Sequence, residues 1–454
     1  MKNGFIKGLI LGIGLCVVVG LGIKVGTGIS RYKNSVRTDK IGFGTPTPTP
    51  ESASKTDNKT ESTVSTPVPT KVAEVTKSVT MTGAPKITPS LSPTPTPILD
   101  PLSQNPVLDQ ALVDKIDFLE YVINTYYYKE VSSENIRNGI YKGMMDGIGD
   151  EYTVYYTPKE YNDLQQSTSG VYGGVGSYIS KKTDSEYAIF LNPFKGGPAE
   201  KAGIQSEDII YKVEGEIVLG MTTEEIANRV RGEVGTTVHL TVYRSSSDKY
   251  IEFEIVRAIV NAPTVETEML EGNVGYISVS EFAGVTEKQF IEAVDEMLAQ
   301  KAVGLVIDLR NNGGGVLDVC VNMVDYILPD NKLITYTLDK QNEGEKYMSK
   351  DGHQVDLPIV ILVNGYSASA SEVFTGALSD NDCATVMGTT SFGKGIVQSI
   401  IPLNDGSAIK ITTSSYYTPS GVCIHGIGIT PDIVVELTEP DNQKEAARKQ
   451  ILGQ

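Results

Sequence analysis

At 454 residues, with 40% hydrophobic and 21% charged side chains, the chain has room for about three domains and a globular composition. Its formal net charge is −17, and residues 1–40 hold seven Lys/Arg against one acid, so the remainder is more acidic still. Such a body excludes nucleic acid as an expected partner.

Between Lys7 and Lys24 lie sixteen uncharged residues, GLILGIGLCVVVGLGI, followed by Arg31, Lys33 and Arg37. About 17–25 residues span a bilayer and flanking lysines can snorkel, so this reads as an uncleaved single-pass anchor, with a cleaved signal segment as the alternative. A buried amphipathic helix is disfavoured because the stretch has no polar face. No A-x-A cleavage site follows, and Leu15 stands where a lipoprotein signal wants a small residue; positive charge is nevertheless heavier after the span than the positive-inside rule would choose. Residues 1–40 are therefore an anchor or signal segment with a basic flank, and 41–105 a disordered Pro/Thr/Ser-rich linker. From Gly44 to Pro106 the chain holds twelve of its 22 prolines, too little apolar area to offset ordering, and an extended tether results.

The spacing of Leu108, Leu112, Ile116, Leu119 and Ile123 predicts a helix, and SSENIRNGIYKGMMDGIGD a second one, capped by Ser132 or Ser133 with Glu134 in its first turn. Residues 106–168 form a helical region whose apolar faces could pack on the next domain or on a second subunit. From 169 to 257 the pattern changes to short strands, YAIFLNPF, DIIYKVEGEIV, TVHLTVYR and YIEFEIV, with one helix in TTEEIANRVRG. From 258 to 454 an amphipathic helix, TEKQFIEAVDEMLAQ, leads into the apolar run AVGLVIDLR, and LPIVILVN follows. Continuous apolar strands separated by helices indicate an α/β core, with chemistry at strand ends.

In VNGYSASASEVFTGALSD three serines precede an apolar helix. Ser369 stands six residues after the strand IVILV, where a hydroxyl meets free N–H groups; Ser369 or Ser371 could equally be a plain helix cap. No G-x-S-x-G elbow is present, and His239, His353 and His425 offer little support for a histidine base. Lysine is the other candidate. Lys394 lies between Gly393 and Gly395 at the entry to the strand IVQSIIPL, with Gln398 four residues on; a lysine base needs an apolar pocket and a group to orient its amine. In VIDLRNNGGGVLD a strand ending in Asp308 and Arg310 runs into Gly313, Gly314 and Gly315, which could turn N–H groups toward an oxyanion; the absence of Gly-Lys-Ser/Thr makes a P-loop a poor reading, and an ordinary tight turn stays open. The loop Tyr172, Gly173, Gly174, Val175 and Gly176 could capture a peptide carboxylate while the peptide joins a sheet edge. Cys16, Cys320, Cys383 and Cys423 lack metal-like spacing and read as buried free thiols, with a disulfide among the last three left open.

Taken together, KGMMDGIGDEYTVYYTPKEY, PAEKAGIQSEDIIYKVEG, DLRNNGGG, NGYSASASEVFTGAL, SFGKGIVQ and GIGITPD resemble, in order, the blocks of the C-terminal processing (tail-specific) serine peptidases from about Leu108 to Val435. The resemblance implies an α/β, crotonase-like (ClpP/crotonase) protease core with an inserted PDZ domain and an N-terminal helical region. It implies Ser369 as nucleophile, Lys394 as base with Gln398 fixing its amine, and the amides of Ala370 and Gly315 as oxyanion donors, with Gly314 the alternative to Gly315. The family often has proline where Gly313 stands and lysine where Ile427 stands. The implied function is a serine endopeptidase on the outer side of the cytoplasmic membrane, or secreted, that reads free protein C-termini through its PDZ domain and cleaves near them. No metal or organic cofactor is called for. The alternatives are a non-catalytic PDZ scaffold, which would be expected to lack Ser369, Lys394 or Gln398, and a crotonase-like acyl-CoA enzyme, which would leave the PDZ segment without a purpose. Arg231 is the candidate for a contact between PDZ domain and core.

Overall fold

The computed structural model of the protein describes residues 107–181 and 185–454. The apolar segment, the proline-rich linker and Cys16 lie outside the described residues, and no described helix is long and apolar enough to cross a membrane.

Helix α1 (Gln110–Tyr126) starts where the Asp109 carboxylate accepts the Leu112 N–H, and α2 (Ser133–Asp146) follows; Ser132 occupies its cap position without making the side-chain bond. Neither helix buries a residue, and Phe118, Leu119, Tyr121 and Met144 are exposed. The region expected to be helical also contains a strand, β1 (Val154–Tyr156), before α3 (Pro158–Ser169), which opens on a Thr157/Glu160 capping box. Strand β1 pairs antiparallel with residues 408–410, more than 250 positions away.

Next come β2 (Val171–Gly174), β3 (Ser177–Lys181), β4 (Ala188–Pro193), α4 (Pro198–Ala202), β5 (Ile209–Val213), β6 (Glu216–Ile217), α5 (Thr223–Val230), β7 (Thr237–Arg244), β8 (Lys249–Val256) and β9 (Ala258–Asn261). The strands order as β3-β4-β5-β7-β8 with β6 on β5, while β2 pairs with β9. Alternation along β7 puts Val238, Leu240 and Val242 inward against Phe190, Ile210 and, from α5, Ile226 and Val230. Strand β3 is an edge, and α5 lies beside it.

The remainder comprises β10 (Val265–Leu270), β11 (Val274–Val279), α6 (Thr286–Ala299), β12 (Gly304–Asp308), α7 (Leu317–Asp325), β13 (Leu333–Leu338), β14 (Lys346–Met348), β15 (Ile359–Val363), α8 (Ala370–Asp380), β16 (Thr385–Gly388), β17 (Ile396–Pro402), β18 (Ala408–Tyr417), β19 (Ile433–Val434) and α9 (Asn442–Leu452). One sheet runs β10-β11-β12-β15-β16-β19, parallel from β11 onward. Strands β12 and β15 are buried throughout because both faces are covered: Leu305, Ile307 and Ile361 pack with residues of α6, α7 and α8, whereas Val306, Val360 and Leu362 pack with Ala447 of α9. A second sheet runs β1-β18-β13-β14, with β17 also on β18. The carboxyl ends of neighbouring β11, β12 and β15 thus open side by side, the place where open α/β sheets hold their ligands.

Candidate active site

The turns leaving those three strands are stitched together. Asn312, fully buried, donates to Val279 O at 2.9 Å, and its own carbonyl accepts the Ala368 N–H at 3.1 Å and the Ser371 hydroxyl at 2.9 Å. The Ser367 hydroxyl donates to Leu309 O at 2.8 Å. Two of the three serines are therefore fully buried and committed to carbonyls. Ser369 is the exception: it is half-buried, and among the described residues its hydroxyl donates to no carbonyl. Its backbone sits at φ 56°, ψ −115°, a conformation costing about 1–3 kcal/mol for a residue with a side chain, which the surrounding bonds must hold.

Those bonds centre on Glu372, 1% exposed at the third position of α8. One of its oxygens accepts the Ser369 N–H and the Lys394 N–H, each at 2.8 Å; the other accepts the Ser391 hydroxyl at 2.5 Å and the Gly393 N–H at 2.7 Å. Tyr416, also buried, donates to Lys394 O at 2.6 Å and meets Ser369 O at 3.0 Å; burial pushes its phenol well above the ordinary range. A carboxylate and a phenol thus lock the backbones of Ser369 and Lys394 to one another. The sequence reading missed both. The signal was present as S-x-x-E, Ser369 to Glu372, where an acid in an otherwise apolar helix passes for an ordinary cap.

Lys394 is half-buried, and its ammonium lies 4.3 Å from the centroid of the Tyr152 ring, in the turn before β1. The glycines around it permit a close approach: a Cβ on Gly395 would come within 2.5 Å of the His425 N, and one on Gly393 within 2.9 Å of the Gly428 N. Gln398, on β17, gives its amide N–H to Thr412 of β18 at 3.3 Å, its cross-strand partner at a β-bulge.

At the glycine turn, the Gly314 N–H is taken by the Asn312 side chain at 2.9 Å. Gly315 is exposed, and neither its N–H nor that of Ala370 donates to a group among the described residues. Close packing explains the glycines: at φ 103° a Cβ on Gly314 would stand 2.9 Å from Ser369 Cβ and 3.0 Å from Ala370 N. Asp308 and Arg310 point elsewhere; Arg310 binds Asp308 and Asp441 and ties α9 to the core.

In the loop Tyr172–Gly176 the carbonyls of Gly173, Val175 and Gly176 accept from Gly232, Ala199 and Phe194 at 3.1, 2.7 and 2.9 Å, while the N–H groups of Val175 and Gly176 donate to no group among the described residues. Tyr172, Gly173 and Gly174 belong to β2, so three of the five expected loop residues are strand. Arg231 lies 4.9 Å from the Tyr172 ring centroid, a contact within the PDZ segment. Among the described residues no histidine hydrogen-bonds to Ser369: His239 is exposed beside Glu214, His353 stacks on Tyr326, and His425 is exposed. Cys320, Cys383 and Cys423 are free; only Cys320 is buried, the other two being half-exposed. No metal-binding cluster occurs among the described residues.

A family model of peptidase family S41 matches residues 273–435, and one of the PDZ domain matches 192–244. A carboxy-terminal-processing protease of Bartonella bacilliformis is 38% identical over 333 residues, covering 72% of this chain and 76% of that protein. The chain belongs to peptidase family S41. It is a serine-type peptidase of the C-terminal processing group with a PDZ domain, which sets aside the non-catalytic scaffold. A probable CtpA-like serine protease of Staphylococcus aureus is 37% identical over 331 residues, 72% of this S41 chain and 66% of its own. Among solved structures, the photosystem II D1 C-terminal processing protease is 30% identical with a TM-score of 0.42, covering 70% of this chain and 86% of that one.

Proposed function

We propose that Ser369 is the nucleophile of this peptidase and Lys394 its general base. The observation that carries this is the commitment of Ser367 and Ser371 to buried carbonyls, together with the shared Glu372 oxygen that joins the Ser369 and Lys394 backbones. The neutral lysine takes the Ser369 proton as Oγ attacks the peptide carbonyl carbon. The resulting ammonium returns that proton to the departing nitrogen, and water then hydrolyses the acyl-serine. The N–H groups of Gly315 and Ala370 receive the oxyanion, and Gln398 orients the lysine amine from β17.

The wider reading follows from the family. Residues 258–454 are a crotonase-like core and 169–257 a PDZ domain between it and a helical region, 106–168, whose exposed apolar faces could join two copies. The PDZ loop, with the Val175 and Gly176 carbonyls spent and their N–H groups unpaired among the described residues, takes the free carboxylate of a protein or peptide, which adds to the edge of β3 beside α5. The N-terminal segment holds the enzyme as a single-pass protein with its catalytic part outside the cytoplasmic membrane, or is removed to release it.

The test is mass spectrometry of a free-acid peptide incubated with the full chain. Ser369→Ala and Lys394→Ala abolish cleavage and Gln398→Ala slows it, while Ser367→Ala and Ser371→Ala retain it in whatever fraction stays folded. Cleavage by Ser369→Ala at the parent rate overturns the assignment.

A further inference from the structure

A lysine works as a base only when neutral, so the charge facing its amine sets the pH at which it can act. The turn between α2 and β1 supplies such a charge. Lys394 lies over the Tyr152 ring, and the Asp150 carboxylate, two residues earlier, interacts electrostatically with the same ammonium.

Asp150 is a built feature rather than a loose surface acid. One oxygen accepts the hydroxyls of Thr153 at 2.5 Å and Thr412 at 2.6 Å, and the other accepts the Tyr152 N–H at 3.1 Å. Thr412 also receives the Gln398 amide, so carboxylate, threonine and glutamine form one chain beside the lysine. Burial alone would raise the Asp150 carboxyl; the hydrogen bonds, and then the charge of Lys394, outweigh it and hold the group below its usual value. Asp150 is therefore ionised wherever the enzyme works.

The other charged groups around Lys394 are differently engaged. Glu372 of α8 spends both oxygens on four donors, and the Tyr416 phenol of β18 stays protonated. Glu151 lies beside Tyr152. Lys410 of β18 faces Asp150 too: burial lowers its pKa and Asp150 opposes that.

We propose that Asp150 is a positioning residue for the general base: with the Tyr152 face it holds the Lys394 amine, favours the ammonium, and so sets the pH at which peptide cleavage switches on. The proposal rests on Lys394 being the base. It gives the N-terminal region, which carries no reacting group, a direct hold on the catalytic lysine.

The experiment is the pH dependence of kcat/KM for a free-acid peptide, using the full chain. Asp150→Asn keeps an oxygen for the threonine hydroxyls and drops the charge, so the rising limb moves to lower pH by about one unit. Asp150→Glu brings it back toward the parent position, and Tyr152→Leu, which removes the ring face, moves it the same way as Asp150→Asn but less. A lysine-selective ¹³C NMR titration in the Ser369→Ala chain, with the Lys394 signal assigned through Lys394→Arg, gives the same shifts without needing activity. If Lys394→Ala still cleaves, the base assignment fails while the titration still reports on Asp150. If Lys394→Ala is inactive and neither limb nor titration midpoint moves in Asp150→Asn or Tyr152→Leu, the positioning role is overturned.

Discussion

Two glycine-rich turns, 311–316 in the core and 172–176 in the PDZ segment, solve one problem by different means. Each leaves backbone N–H groups without an acceptor among the described residues, that of Gly315 in the first and those of Val175 and Gly176 in the second. In the core turn the frame is made by buried side chains: Asn312 bonds to Gly314 and Val279, and Ser371 and Ser367 reach in from the neighbouring strand end. In the PDZ turn the frame is backbone bonding plus one Arg231–Tyr172 contact with an exposed arginine. The proposed oxyanion site is thus set before substrate arrives, whereas the loop proposed to read a carboxylate can adapt to its ligand. Rigidity suits a site that must match a transition state, and adaptability suits one that must accept many C-termini.

The largest effect that would break this contrast comes from Glu372. Glu372→Ala strands four donors in a buried site, and we expect a loss of about 3–5 kcal/mol in urea unfolding together with loss of cleavage. A variant of unchanged stability would mean that the core frame does not depend on it. Next comes a matched pair of glycine substitutions. In the core, Gly314→Ala presses on Ser369 and Ala370 and should lower kcat by about 10²–10³-fold with little change in KM. In the PDZ loop, where a Cβ on Gly173 would come 2.2 Å from Gly232 O, Gly173→Ala should raise KM for a free-acid peptide by about tenfold, keep kcat, and leave an amidated peptide unaffected. Equal kinetic signatures for the two variants would erase the distinction.

The smallest effect concerns Glu281, next to Phe282, whose backbone bonds to Gly314 and Val316. Burial raises its carboxyl from 4.5 to about 7, so the folded chain holds this proton more tightly than the unfolded chain. Its contribution is present below pH 4.5 and is lost as pH rises to about 7, because there the unfolded state binds fewer protons. Glu281→Gln should therefore flatten the fall in stability over that window and gain roughly 1–2 kcal/mol at pH 8. An unchanged pH slope on denaturant unfolding would refute the assignment.

Much of this was legible in the sequence, for identifiable reasons. The runs GLVID and IVILV read as buried strands because both of their faces are covered, and β7 follows its alternation from Thr237 to Arg244. The place of Ser369 at a strand-to-helix turn leaves a plain helix cap open and only the family resemblance singles it out; what sets its neighbours apart, hydroxyls spent on Leu309 and Asn312, is tertiary. Strand β1 was hidden because three residues, Val-Tyr-Tyr, carry no periodicity and their partner is remote. Asp150 was hidden for the same reason: its bond to Thr412 joins residues 262 positions apart. Helices α1 and α2 formed where their spacing predicted, yet their apolar faces show what periodicity cannot say, which is what covers them.

Whether Ser369 and Lys394 act as one unit is decided by a double-mutant cycle on kcat/KM. Groups that share a single proton transfer lose their joint contribution when either is removed. Ser369→Ala, Lys394→Ala and the double variant of the full chain are expected to fall to the same residual rate on a free-acid peptide. Either single variant retaining substantial activity, or a double variant slower by the product of the two separate losses, would contradict it.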